Sequence, residues 1–257
     1  LSEKMLDDPL LLTAVRELSA HDNPRVRRQV AYSLGQSGSR DAAEALASIA
    51  ASDGDDVYLR AAVLSPVNRT NVAAVLAAYT ATKKKQGDLF PQLLSLAARL
   101  GDDRGVEAAF RAVLTRAALN DDTRFTDLAL LLNSLDQHPT WTMQRLDAQM
   151  VTTLRNWNNE ALRVLSDSGQ SDETLLAALQ LLGRRERKAT RGLLRSGTNR
   201  HEQTLQQIAG LITADRSVAV QTAAVGALGR TAQKQAANLL LTRWDRVGPS
   251  PRAAILA

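Results

Sequence analysis

Asp22-Asn23-Pro24-Arg25-Val26-Arg27, running on through Val30, Ala31, Leu34 and Gly35 to Ala42-Ala43-Glu44-Ala45-Leu46, is the stretch that decides the fold. Pro24 suits the first turn of a helix, where its missing N–H is not needed, and Asn23 or Asp22 suits the cap before it. Val26, Val30, Ala31 and Leu34 recur at helical spacing and form one apolar stripe over Arg25 to Gln36. The turn Ser37-Gly38-Ser39-Arg40 then leads into a second stripe of Ala42, Ala45, Leu46 and Ile49. Two amphipathic helices in about 30 residues make one repeat.

The pattern returns. Val26, Leu34, Gly35, Ala42, Ala43 and Leu46 reappear 194 positions later as Val220, Leu228, Gly229, Ala236, Ala237 and Leu240. A shift of 31 positions places Val26 on Val57, Ala31 on Ala62 and Ala42-Ala43 on Ala73-Ala74. The dipeptide Leu-Gly closes four apolar helices, at Leu34-Gly35, Leu100-Gly101, Leu182-Gly183 and Leu228-Gly229. Units of this size cannot bury an apolar face alone and must stack, so the expected fold is an all-α superhelix of helix pairs, a helical-repeat solenoid.

The second unit starts at Asp55-Asp56 and runs to Lys83-Lys84-Lys85, with Pro66 cutting its first helix short. The third spans Phe90 to about Asn120 and folds back at Gly101-Asp102-Asp103. From about 121 to 169 the register weakens, with bends expected at Pro139 and at Asn156-Trp157-Asn158-Asn159 and a loop at Ser166–Gly169. Regular helices resume near 172–183, 186–196, 200–213, 217–230 and 233–245. Residues 1–257 thus read as one repeat domain with an irregular middle.

Composition agrees. Of 257 residues 44% are apolar and only 4% aromatic, so alanine and leucine carry the core and let helices approach closely. The absence of cysteine excludes disulfides, thiolate metal sites and cysteine nucleophiles within these residues. No apolar run is long enough to insert in a membrane. A net charge of +5 permits an anionic partner without demanding one.

Asp22–Arg27 with Ala31 and Leu34-Gly35 resembles the HEAT-like repeats, in which an acidic turn, a Val-x-x-x-Ala stripe and Leu-Gly are typical. The longer run, adding Asp56-Val57-Tyr58-Leu59-Arg60-Ala61-Ala62-Val63-Leu64-Ser65, is similar to the helical region of the planctomycete-type family of large bacterial membrane-bound dehydrogenases. The later runs Leu175 to Arg184 and Ser250 to Ala254 suit it too. That resemblance implies a β-propeller before the helices, a c-type haem domain after them, an extracytoplasmic setting and a spacer or docking role for this segment. Leu1 in place of an initiator methionine, and Arg252-Ala253-Ala254-Ile255-Leu256 repeating Arg60 to Leu64 at the very end, raise the same expectation of a piece of a longer polypeptide.

The site residues are few. Arg184, Arg187, Lys188, Arg191 and Arg195 fall at helical spacing and form a candidate stripe for an anion or a partner, against the plainer reading of a solvated helix face. Phosphates of nucleic acid are the alternative ligand, though no aromatic interleaves the stripe as a stacking platform would require. Asp53-Gly54-Asp55-Asp56 lacks the ordered acids of a calcium loop and reads better as a cap. Asp102-Asp103, Asp121-Asp122 and Asp172-Glu173 stand at helix starts and are read as caps as well. His21, His138 and His201 have no metal spacing and are placed in loops, and Trp141, Trp157 and Trp244 are assigned to gaps between repeats. No nucleophile–base pair, phosphate loop or cofactor motif is present. The expectation is therefore a non-catalytic scaffold without a cofactor, whose partner is a protein or a neighbouring domain.

Overall fold

A computed structural model describes residues 8–35, 37–82, 89–119, 123–137, 146–184, 198–230, 234–246 and 248–256. Among these residues there are α-helices and short 3-10 turns and no strand. The chain is an all-α helical-repeat protein, and it divides into two compact units, Leu1–Leu119 and Asn120–Ala257.

The first unit holds α1 (Pro9–Glu17), α2 (Pro24–Leu34), α3 (Arg40–Ser52), α4 (Val57–Leu64), α5 (Val72–Ala81), α6 (Phe90–Leu100) and α7 (Asp103–Leu119). α2 packs on α4 in one layer, while α3, α5 and α7 pack successively in a second. The second unit holds α8 (Arg124–Leu135), α9 (Ala148–Ser166), α10 (Asp172–Leu182), α11 (Thr198–Gly210), α12 (Val218–Gly229), α13 (Lys234–Arg243) and α14 (Pro249–Leu256). Its layers are α8, α10, α12 and α14 on one side and α9, α11 and α13 on the other.

Many of the helix starts are set locally by a capping side chain. Asn23, Ser39, Asp56, Asp147, Ser171 and Ser217 accept a hydrogen bond from a backbone N–H of the first turn. Asp56 accepts two, from Tyr58 at 2.7 Å and Leu59 at 3.0 Å. Asp56→Ala is therefore expected to lower stability by about 1–2 kcal/mol, read as a shift of the urea midpoint at unchanged slope. Asp102 accepts from the Gly105 N–H, as its position predicts. At α10 the cap is Ser171, and Asp172 and Glu173 instead fill the first turn, where a negative charge opposes the helix dipole's positive end.

The caps also measure the repeat. Asn23 and Ser217 lie 194 positions apart, and the buried Val30, Ala31 and Leu34 of α2 match the buried Ala224, Val225 and Leu228 of α12. Asn23 and Asp56, in contrast, lie 33 positions apart and not 31. The shorter shift aligned alanines because small residues are abundant on every helix; the longer one aligns the buried Ala42, Ala43, Leu46 and Ala47 with Val75, Leu76, Tyr79 and Thr80. Burial, and not letter identity, carries the register.

Pro66 does end α4, at Leu64, and the turn that follows is held by the buried Asn71, which accepts from the Asn68 N–H and donates to the Pro66 carbonyl. Tyr79 is fully buried and its hydroxyl accepts from the Leu89 N–H at 3.1 Å, tying α5 to the start of α6. The fold-back after α6 is made by Gly101 at φ 66°, a left-handed conformation that suits glycine.

The expected bend at Asn156–Asn159 is absent, because α9 runs unbroken from Ala148 to Ser166. Met150, Leu154, Asn158, Ala161 and Leu165 form one buried face of it, so Asn158 occupies a core position and the polar run is the helix's outer side with one polar core residue. Pro139 lies outside the described residues. His201 belongs to α11 and not to a loop.

A candidate partner-binding groove

The residues singled out above fall in different environments. Arg184 is not on an open stripe: its side chain is 1% exposed and pairs with Asp136, itself 4% exposed, at the end of α8. Its Nε also donates to Asn133 Oδ1 at 3.2 Å. A guanidinium locked this way holds α10 to α8 and is closed to a partner. Arg187, Lys188, Arg191 and Arg195 lie outside the described residues, as do Lys83-Lys84-Lys85, Asp121-Asp122, His138 and Trp141.

Asp53 is likewise engaged. Arg27 grips it with two hydrogen bonds, Nε to Oδ2 at 2.8 Å and Nη2 to Oδ1 at 2.6 Å, and gives Nη1 to the His21 and Asp22 carbonyls. Bonding to Asp53 raises the Arg27 pKa from its ordinary value. With Asp53 paired and Asp56 capping α4, the Asp53–Asp56 segment is an element of repeat-to-repeat packing. His21 accepts from the Asn23 N–H beside the same latch. Trp244 receives the Arg252 guanidinium over its ring at 5.6 Å, which joins α13's end to α14. Among the described residues no group of three or more His, Asp or Glu could hold a metal ion, and no helix is long and apolar enough to cross a membrane.

The structure instead draws attention to a residue that stripe reasoning passed over. Leu182-Gly183-Arg184 and Leu228-Gly229-Arg230 are the same triplet, 46 positions apart, ending α10 and α12. Arg230 turns back as Arg184 does, and its Nε donates to the Gly183 carbonyl at 2.8 Å. It borders a groove of about 660 Å³ between α10 and α12, lined mainly by apolar atoms of Leu176, Leu179, Val218, Ala223 and Gly226. Val218 is 55% exposed there, at the first position of α12. Among the described residues, Arg230 is the single charged one on the groove's lining. Desolvation lowers its pKa from the ordinary arginine value, and among the described residues no carboxylate pairs with it. The repeated Leu-Gly-Arg triplet was the signal in the sequence that marks this position.

α10 and α12 approach closely at Gly183 and Ala227. A Cβ on Gly183 would lie 2.3 Å from the Ala227 Cβ, and one on Gly35 would lie 1.6 Å from the Pro66 Cβ. Two of the Leu-Gly glycines thus serve as contact points for the following repeat.

Stacked helix pairs in two layers define an all-α helical-repeat protein. Residues 4–65, spanning α1 to α4, match the family of HEAT repeats. No curated protein and no solved structure matches the chain.

Proposed function

We propose that this protein is a non-catalytic helical-repeat scaffold that holds a segment of a partner protein on the layer formed by α8, α10, α12 and α14. The groove between α10 and α12, apolar and open with Val218 at one end and Arg230 at the other, is the observation that carries this reading. HEAT repeats generally serve as scaffolds for protein interaction, and repeat stacks present same-layer helices side by side as a ready binding surface. The test is a photo-crosslinking amino acid placed at Thr222 in the groove or at the exposed Gln206 on α11 in the other layer, in source cells. A discrete crosslinked protein or domain from Thr222 alone is expected; equal patterns from both positions overturn the reading.

The finer setting rests on the resemblance to the dehydrogenase family, in which the partner is a neighbouring redox domain. It is checked by the mass and visible spectrum of the native polypeptide. A chain far above 27.8 kDa with a haem band is expected; a colourless chain near that mass overturns the redox setting and leaves the scaffold reading standing.

A further inference from the structure

The two Leu-Gly-Arg junctions are the same device in two states. At the first, the arginine that follows α10 reaches back to the end of α8 and meets a carboxylate supplied by the chain, Asp136, the residue that closes that helix. At the second, the arginine that follows α12 reaches back to the end of α10, where the closing residue is Gly183. Glycine offers a carbonyl and no side chain, so only Nε is used. The rest of the guanidinium faces the groove without a carboxylate from the described residues. A Cβ built on Gly226 would stand 3.5 Å from Arg230 Nη1, so this glycine leaves the wall beside the guanidinium low.

Resting on the scaffold reading, we infer that Arg230 receives an acidic side chain of the partner, in the role that Asp136 fills against Arg184, while apolar residues of the same segment lie along Leu176, Leu179, Val218 and Ala223. Charge complementarity selects the occupant: a cationic arginine at the end of an otherwise uncharged, mostly apolar groove accepts a carboxylate and rejects a lysine or arginine. Along α12 the distance from Val218 to Arg230 is about 18 Å at the ordinary helical rise, enough for three turns of a bound helix or five to six extended residues. The partner is thus a short amphipathic peptide segment with its acid at the Arg230 end.

The test uses the full chain. Phage-displayed random dodecapeptides are selected against it, and the strongest is synthesised as written and with its acid changed to the amide, Glu to Gln or Asp to Asn. The expected result is an acidic-apolar consensus whose amide form binds at least about tenfold more weakly, the loss typical of a charge-assisted pair. Arg230→Gln lowers binding of the acidic peptide and removes the difference between the two forms. Arg230→Glu reverses the preference toward a peptide carrying lysine in place of the acid, a readout that loss of the Gly183 hydrogen bond alone does not produce. Gln180→Glu, which puts a carboxylate on the groove wall without touching that bond, also lowers binding. Peptides that are blocked by Ala223→Arg yet ignore both the acid and Arg230 overturn this inference and keep the scaffold reading. Peptides indifferent to Ala223→Arg as well, or no selected peptide at all, overturn both.

Discussion

Asp136→Asn is expected to destabilise the second unit by about 3–5 kcal/mol, the largest loss of any single substitution considered. The change removes one charge and leaves the other, Arg184, with a side chain only 1% exposed. Taking a guanidinium from water costs several kcal/mol, and the neighbouring Asn133 amide oxygen at 3.2 Å offsets a small part of that. Arg184→Met leaves the opposite orphan and falls in the same range. The double change Arg184→Met with Asp136→Leu puts apolar groups on both sides and is expected to cost less than either single one, since no buried charge is left behind. Urea unfolding of the four proteins measures this; single-mutant losses under about 1 kcal/mol sink the claim that the pair is desolvated. Amide exchange localises the effect, which is greatest at the ends of α8 and α10.

Gly35→Ala is the second large effect, a loss of about 3 kcal/mol, the upper part of the overpacking range. Backbone strain is not the cause, since Gly35 has φ −66° and any residue adopts that conformation. The cause is space: the new methyl would meet the Pro66 Cβ at 1.6 Å and its Cα at 2.8 Å, and neither atom belongs to a side chain that can swing away. α2 and α4 must separate to admit it, and the contacts of Val30, Leu34, Leu59 and Val63 separate with them. Gly229→Ala is the matched control. It stands at the same place in its own Leu-Gly pair, a Cβ there meets nothing within 4 Å, and the substitution is expected to be neutral or to stabilise by up to about 1 kcal/mol through helix propensity. Equal melting shifts for the two variants would show that Leu-Gly is a mere helix-ending habit of this chain.

The contrast between those two glycines shows where sequence reading stops. Asn23, Pro24 and the stripe Val30-Ala31-Leu34 announce α2 from a dozen consecutive residues, because capping and the i, i+4 stripe are local. The same locality made Pro66, Gly101 and the repeat after 194 positions legible. It misled at Asn156–Asn159, where three asparagines around Trp157 suggest a bend. Asn158 alone of them shares the buried helical face of Leu154 and Ala161, and that is a property of position on the helix. The 31-residue echo misled for a related reason: alanine is so frequent here that identity at alanines carries little register.

The groove was less legible still. Arg184 was grouped with the basic residues that follow it because spacing alone places them on one face. Asp136, the residue that removes Arg184 from that face, is 48 positions away.

From the residues alone, then, come the helical class, the helix starts, the paired-helix repeat and the absence of cysteine chemistry, all set by interactions within a turn or two of the chain. Only the tertiary structure decided which of two identical Leu-Gly-Arg triplets is closed and which is open. Electrostatic partners are chosen by what the neighbouring helix brings to the junction: a carboxylate at the end of α8, a glycine at the end of α10. An arginine's role depends on that distant residue, and no periodicity in its own segment encodes it.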